Sequence, residues 1–124
     1  MKAEKKISSQ VECPVTASMT VLGGKWKPII VFILSMDKRR FSEIERMIPS
    51  ATRKTLTVQL RELEKDGIVK REIFPEVPPR VEYSLTELGN TLRPAMKALC
   101  DWGATHILKK EFVYQIDHNI GLME

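Results

Sequence analysis

Little in this sequence invites catalysis. The 124 residues include only two cysteines and two histidines, and aromatic residues make up 6%. Cys13 and Cys100 stand far apart, which suits no disulfide framework, and with His106 and His118 they make no zinc-ligand spacing. A thiol catalyst pairing Cys13 with either histidine would need an oxyanion motif and a fixed Cys/His arrangement, and neither is present. We therefore expect no enzyme activity, no cofactor and no metal. Long hydrophobic runs are lacking too: none nears the roughly 20 residues that span a bilayer. The longest, "PIIVFIL" at 28–34, lies among Lys25, Lys27 and Lys38, starts late for a signal peptide and lacks a small-residue cleavage site. The expectation is a cytoplasmic protein with no membrane partner.

What is present suits one globular domain, since 43% of residues are hydrophobic and 29% charged. The net charge of +4 is a mild bias toward polyanions such as nucleic acid. "GGKWKP" at 23–28 suggests a phosphate loop, but Trp26 stands where a Ser or Thr hydroxyl would hold magnesium, and no earlier glycine has the right spacing. The stretch reads instead as a break between two helices.

The chain falls into a polar arm over residues 1–12, a folded unit over 13–108 and an extension over 109–124. Within the unit, "CPVTASMTVL" places Val15, Met19 and Leu22 on one helical face, ended by Gly23 and Gly24. "KWKPIIVFILSM" follows as an apolar helix starting near Lys25, with Pro28 in its first turn. Ser42 and Glu45 match a capping box for a short helix that Pro49 stops, with Phe41 ahead of the cap as a staple. Thr52 then caps a longer helix carrying Leu56, Leu60 and Leu63 at helical spacing, closed by Gly67. "IVKREIF" and "RVEYSL" read as the two strands of a hairpin around the stiff tip "PEVPP". Helical periodicity returns from Thr86, with Pro94 marking a kink or break.

The predicted fold is mainly α with a small β-hairpin. Helix, short turn, longer helix and hairpin is the order of a winged helix-turn-helix, which lays its second helix in a DNA major groove. Successive helical residues advance by about 100°. With Leu56, Leu60 and Leu63 inward, Lys54, Val58, Arg61 and Lys65 fall on the outer side and Thr57 at its edge. The cations suit phosphates or guanine edges, Thr57 a base, and Val58 a thymine methyl group. Thr52 and Arg53, at the helix start, and Arg80, beside the hairpin tip, complete the candidate DNA contacts, together with Lys25 as a phosphate contact. The plainer alternative is a solvated face, on which such cations are ordinary. A winged helix that binds protein or RNA also remains open, since fold does not fix function.

"CPVTASMTVLGGKWKPIIVFIL", "FSEIERMIPSATRKTLTVQLRELEKDGIVKR" and "EVPPRVEYSLTELG" together resemble the HxlR family of bacterial winged-helix transcription regulators, from about Cys13 to His106. The resemblance implies a homodimer on an inverted repeat in double-stranded DNA. It also implies pairing through additional N- and C-terminal dimerisation helices, here Cys13 to Leu22 and about Thr86 to Leu108. Val15, Met19, Leu92, Met96, Leu99 and Trp102 are the expected interface residues, the alternative being packing within one subunit. Where the family often has Gly-Ile-Ser, this chain has Ser50-Ala51-Thr52, which keeps the capping hydroxyl. Some family members sense oxidants or electrophiles through a cysteine at the position of Cys13. A helix N-terminus there, and Lys5 and Lys6 if the arm folds back, would favour the thiolate. A small buried hydrophobe is the alternative reading of this cysteine, and core packing the simpler one for Cys100.

Overall fold

The computed structural model describes residues 13–109. The expected arm with Lys5 and Lys6, and nearly all of the C-terminal extension with His118, lie outside the described residues.

Helix α1 runs Pro14–Leu22 with Cys13 at its N-cap, and Pro14 occupies a first-turn position where no amide hydrogen is needed. Its end requires glycine twice. A Cβ on Gly23 would stand 2.4 Å from the Met19 carbonyl oxygen, and Gly24 has φ +91. Helix α2, Lys27–Met36, begins two residues later than expected, with Trp26 as its N-cap residue and Pro28 in the first turn. Its apolar run is the hub of the core, with Ile30, Val31, Ile33 and Leu34 buried. Among the described residues no single helix is long and apolar enough to cross a membrane, and α1 and α2 are bent 78° from one another.

A two-residue strand β1, Arg39–Arg40, leads into α3, Phe41–Met47. This corrects the expected capping box. Pairing of Arg39 with Tyr83 and of Arg40 with Glu82 keeps the chain extended up to Arg40, so the helix starts at Phe41 and Ser42 lies inside it. The reaching carboxylate is Glu43, which accepts the Arg40 amide at 2.8 Å. Phe41 is partly buried against the core.

Helix α4, Arg53–Lys65, follows a tight turn. Thr52 caps it as expected, its hydroxyl oxygen accepting the Thr55 amide at 3.0 Å. At the other end the Ile68 amide bonds to the Leu63 carbonyl and the Gly67 amide to that of Glu64, a Schellman closure that needs the left-handed φ of +78 at Gly67.

The expected hairpin is present as β2, Val69–Phe74, and β3, Arg80–Leu85, paired from Val69 with Leu85 out to Phe74 with Arg80. With β1 on the far side of β3 the sheet is antiparallel and three-stranded, in the order β1-β3-β2. Thr86 caps the short α5, Glu87–Asn90, and the chain then breaks before α6, Arg93–Trp102, with Pro94 in the first turn of α6. Gly103–Leu108 continue from α6 as π-helical turns.

Leu56, Leu60 and Leu63 enter the core beside Ile30, Leu34 and Ile44. Two polar links hold the helices around it. The Lys27 ammonium, nearly buried, stands 2.6 Å from a Glu62 carboxylate oxygen and ties α2 to α4. Buried Arg93 donates to Asn90 Oδ1 at 2.9 Å and to the Ser35 carbonyl, which ties α6 to α2. With α6 anchored in this way, Met96 is buried in the core of its own chain and Leu92 packs against it. The assignment of Met96 to a dimer surface is corrected accordingly, while Leu92 is only partly buried.

Candidate nucleic-acid interface

Helix α4 turns its leucines inward and leaves Lys54, Val58, Arg61 and Lys65 exposed on the opposite side, with Thr57 half-buried at the edge. A solvent-facing Val58, 43% exposed, sits in the middle of this basic surface. The two threonines are engaged by their own helix. Thr52 spends its hydroxyl oxygen on the cap, and the Thr57 hydroxyl donates to the Arg53 carbonyl at 2.9 Å.

Arg53 is not a free cation. Its Nε and Nη2 both donate to the Glu45 carboxylate at 3.1 Å, and its guanidinium lies 5.2 Å from the centre of the Phe41 ring. The hydrogen bonds from Arg53 hold the Glu45 carboxyl below the usual carboxylate range. This fork clips α3 to α4 across the turn and fixes the angle at which α4 is presented.

The wing departs from expectation in the same way. Arg80 stands at the first position of β3, its guanidinium 4.0 Å from the centre of the Phe74 ring, 2.7 Å from a Glu76 oxygen and bonded to Glu82. It is a clip at the base of the tip, its charge already paired by two sequence neighbours, Glu76 four residues before it and Glu82 two residues after it on the same face of β3. The tip itself, residues 75–79, carries Val77 fully exposed and no cation. Exposed Lys70 and Arg71 on β2 also carry positive charge on the sheet, Arg71 paired with Glu64, and sequence reasoning missed both. The alternation of Val69, Arg71 and Ile73 in "IVKREIF" was the available signal.

Lys25 is exposed in the turn before α2, its ammonium 4.8 Å from the centre of the Trp26 ring, and Trp26 packs against the core. Lys27, and not Lys25, occupies the first turn of that helix.

Away from this face, Val15 and Met19 on α1 and Leu99 and Trp102 on α6 are exposed, joined by Ile107 and Leu108 in the π-helical turns. Trp102 stands over His106 with ring centres 5.4 Å apart. Both cysteines are half-buried. Hydrogen bonds from the Thr16 amide and hydroxyl, and from the Val15 amide, pull the Cys13 thiol below its ordinary pKa, the effect of a helix N-terminus. Burial pushes the Cys100 thiol up, and Asp101 adds to it. Among the described residues no group of three or more His, Cys, Asp or Glu is placed to hold a metal ion.

A tight turn between two helices, an outward basic second helix and a β-wing are the parts of a winged helix-turn-helix. The HxlR-like helix-turn-helix family profile matches residues 21–111. The chain belongs to this family. Relatives are described as uncharacterized HTH-type transcriptional regulators. YdeP of Bacillus subtilis is 50% identical over 91 residues, 73% of this chain and 71% of that one. YybR of the same organism is 49% identical over 107 residues, 86% of each chain. Among solved structures, the redox regulator HypR in its oxidized form is 51% identical with a TM-score of 0.73, covering 76% of this chain and 97% of that one. The reduced form of the transcriptional regulator YodB from B. subtilis is 33% identical with a TM-score of 0.67, covering 80% of this chain and 98% of that one. This HxlR-like chain is a transcriptional regulator built on a helix-turn-helix.

Proposed function

We propose that this regulator works in the cytoplasm as a homodimer on an inverted-repeat operator in double-stranded DNA, and that Cys13 makes its binding responsive to oxidants or electrophiles. The observation that carries the reading is the outer face of α4, where Lys54, Val58, Arg61 and Lys65 are exposed together opposite three buried leucines. Lys54 and Lys65 suit backbone phosphates, Arg61 a phosphate or guanine edge, and Val58 a thymine methyl group. Thr52, Arg53 and Arg80 serve by fixing the helix start and the wing, and Lys25 is a peripheral phosphate contact.

The unspent apolar stripe of Val15, Met19, Leu99 and Trp102 supports pairing of α1 and α6 with a second copy, and a two-fold symmetric protein meets a two-fold symmetric site. Cys13 at the start of α1 would then sit beside the pairing surface. Its lowered pKa supports a reactive thiolate. YodB has also been solved after diamide treatment, and HypR in oxidized and reduced forms.

Footprinting on the DNA upstream of the chain's own gene tests all three parts. Two protected half-sites about one helical turn apart are expected. Diamide should clear them reversibly for the parent and leave them intact for Cys13→Ser. Absence of any protected site contradicts operator binding, and equal diamide sensitivity in Cys13→Ser removes Cys13 from the response.

A further inference from the structure

Between α4 and the sheet lies a polar cleft of about 240 Å³, walled by Phe41, Arg53, Thr57, Arg61, Glu64, Arg71 and Tyr83. Strand register explains its chemistry. Arg71 on β2 stands directly across from Tyr83 on β3, so the two side chains share a face. Val69 and Leu85, two positions nearer the core, are buried on that same face. Moving outward along the hairpin, the face therefore changes from apolar to hydrogen-bond-donating just where it meets the basic side of α4.

The donors around the cleft are only partly committed. Arg71 Nε stands 3.3 Å from a Glu64 oxygen, a half-exposed ion pair of the kind that contributes little to stability. Arg61 has no ion pair among the described residues, and Lys54, Val58 and Lys65 extend the same outer side of the helix. Burial pushes the Tyr83 phenol up against the opposing pull of Arg71 and Arg61, so it is a neutral O–H donor at physiological pH. The third guanidinium on the wall, that of Arg53, is held by Glu45, which leaves two guanidinium forks and a phenolic hydroxyl around one small polar space to match the acceptors of a phosphodiester.

We propose that this cleft seats one phosphate of the DNA backbone, held by Arg61, Arg71 and Tyr83, with Glu64 as the internal counter-ion that the phosphate displaces from Arg71. The proposal rests on the DNA-binding reading above and adds to it a contact from the sheet. A phosphate held between recognition helix and wing fixes the depth of α4 in the groove without reading a base. Glu64 keeps Arg71 ordered in the free protein and weakens binding, because its carboxylate must give way.

The test is fluorescence anisotropy with two labelled duplexes, one from the protected upstream region and one of scrambled sequence, across a range of KCl concentrations. Arg71→Ala is expected to weaken both duplexes by the same factor and to reduce the slope of log affinity against log salt by about one. Tyr83→Phe keeps the ring and its packing, and should weaken both duplexes roughly three- to tenfold for the loss of one hydrogen bond. Glu64→Gln should strengthen both. If Arg71→Ala and Tyr83→Phe bind as the parent does while Lys54→Ala still weakens binding, the seat is wrong and the DNA reading stands. Binding of neither duplex by the parent overturns the DNA reading and the seat with it. Inorganic phosphate titrated against the protein without DNA separates the sources. Saturation that Arg71→Ala abolishes, with duplex affinity unchanged, would make the cleft a free-anion site and overturn the proposal.

Discussion

Arg53 and Glu45 face each other across the turn between α3 and α4, with two guanidinium nitrogens each 3.1 Å from the carboxylate. The bond joins the first residue of α4 to α3, the helix before the turn. Arg53→Ala should therefore weaken duplex binding by loosening the presentation of α4, and Arg53→Lys should rescue it only in part, because an ammonium cannot reproduce the fork. Anisotropy titrations beside circular-dichroism melts separate this from unfolding.

The same pair gives an acid-side dependence. Glu45 is held below its ordinary pKa by Arg53, and Glu76 by Arg80. A depressed carboxylate contributes stability that is fully present above the unfolded value, near about pH 4.3, and is lost as pH falls through the lower folded value. Melting temperatures of the parent should therefore decline below about pH 4.3, and Glu45→Gln should flatten part of that decline. Both carboxylates lie near the surface, so the effect is small.

Much of this architecture is legible in local pattern. The spacing of Leu56, Leu60 and Leu63, the Thr52 cap and Gly67 are all within one helix length of each other, and all behave as their sequence predicts. What escaped depends on contacts between distant segments. The start of α3 is set by Arg39 and Arg40 pairing with β3, more than forty residues on, and two arginines carry no strand signal. Arg80 lies over the Phe74 ring only because strand register sets the two across the hairpin from one another, whereas its partners Glu76 and Glu82 are close in sequence. Met96 and Leu99 read alike on one apolar stripe, and the docking of α6 on α2 through Arg93 decides that Met96 is buried and Leu99 exposed.

Core and outer face of α4 should separate in mutagenesis. Leu60, 1% exposed, packs at the centre, and Leu60→Ala should cost about 2–5 kcal/mol in urea unfolding. Val58→Ala should leave stability within about 0.5 kcal/mol and show itself in duplex affinity instead.

Gly89 is a close-approach position, since a Cβ there would stand 2.2 Å from the Ile68 carbonyl oxygen, a backbone atom with no room to yield. Gly89→Ala should therefore destabilise by about 1–3 kcal/mol, read by the same unfolding assay.

The two thiols should react at different rates. Hydrogen bonds at the α1 N-terminus favour the Cys13 thiolate, while burial and Asp101 disfavour that of Cys100. Iodoacetamide near neutral pH, followed by peptide mass spectrometry, should label Cys13 first.

The exposed basic side of α4 is the surface we propose reads DNA. The most direct measurement is the affinity of Arg61→Ala and Lys54→Ala, each folded by circular dichroism, for the upstream duplex over a range of salt. Weaker binding with a shallower salt slope in both variants is the predicted result. Affinity and slope equal to those of the parent in both would contradict it.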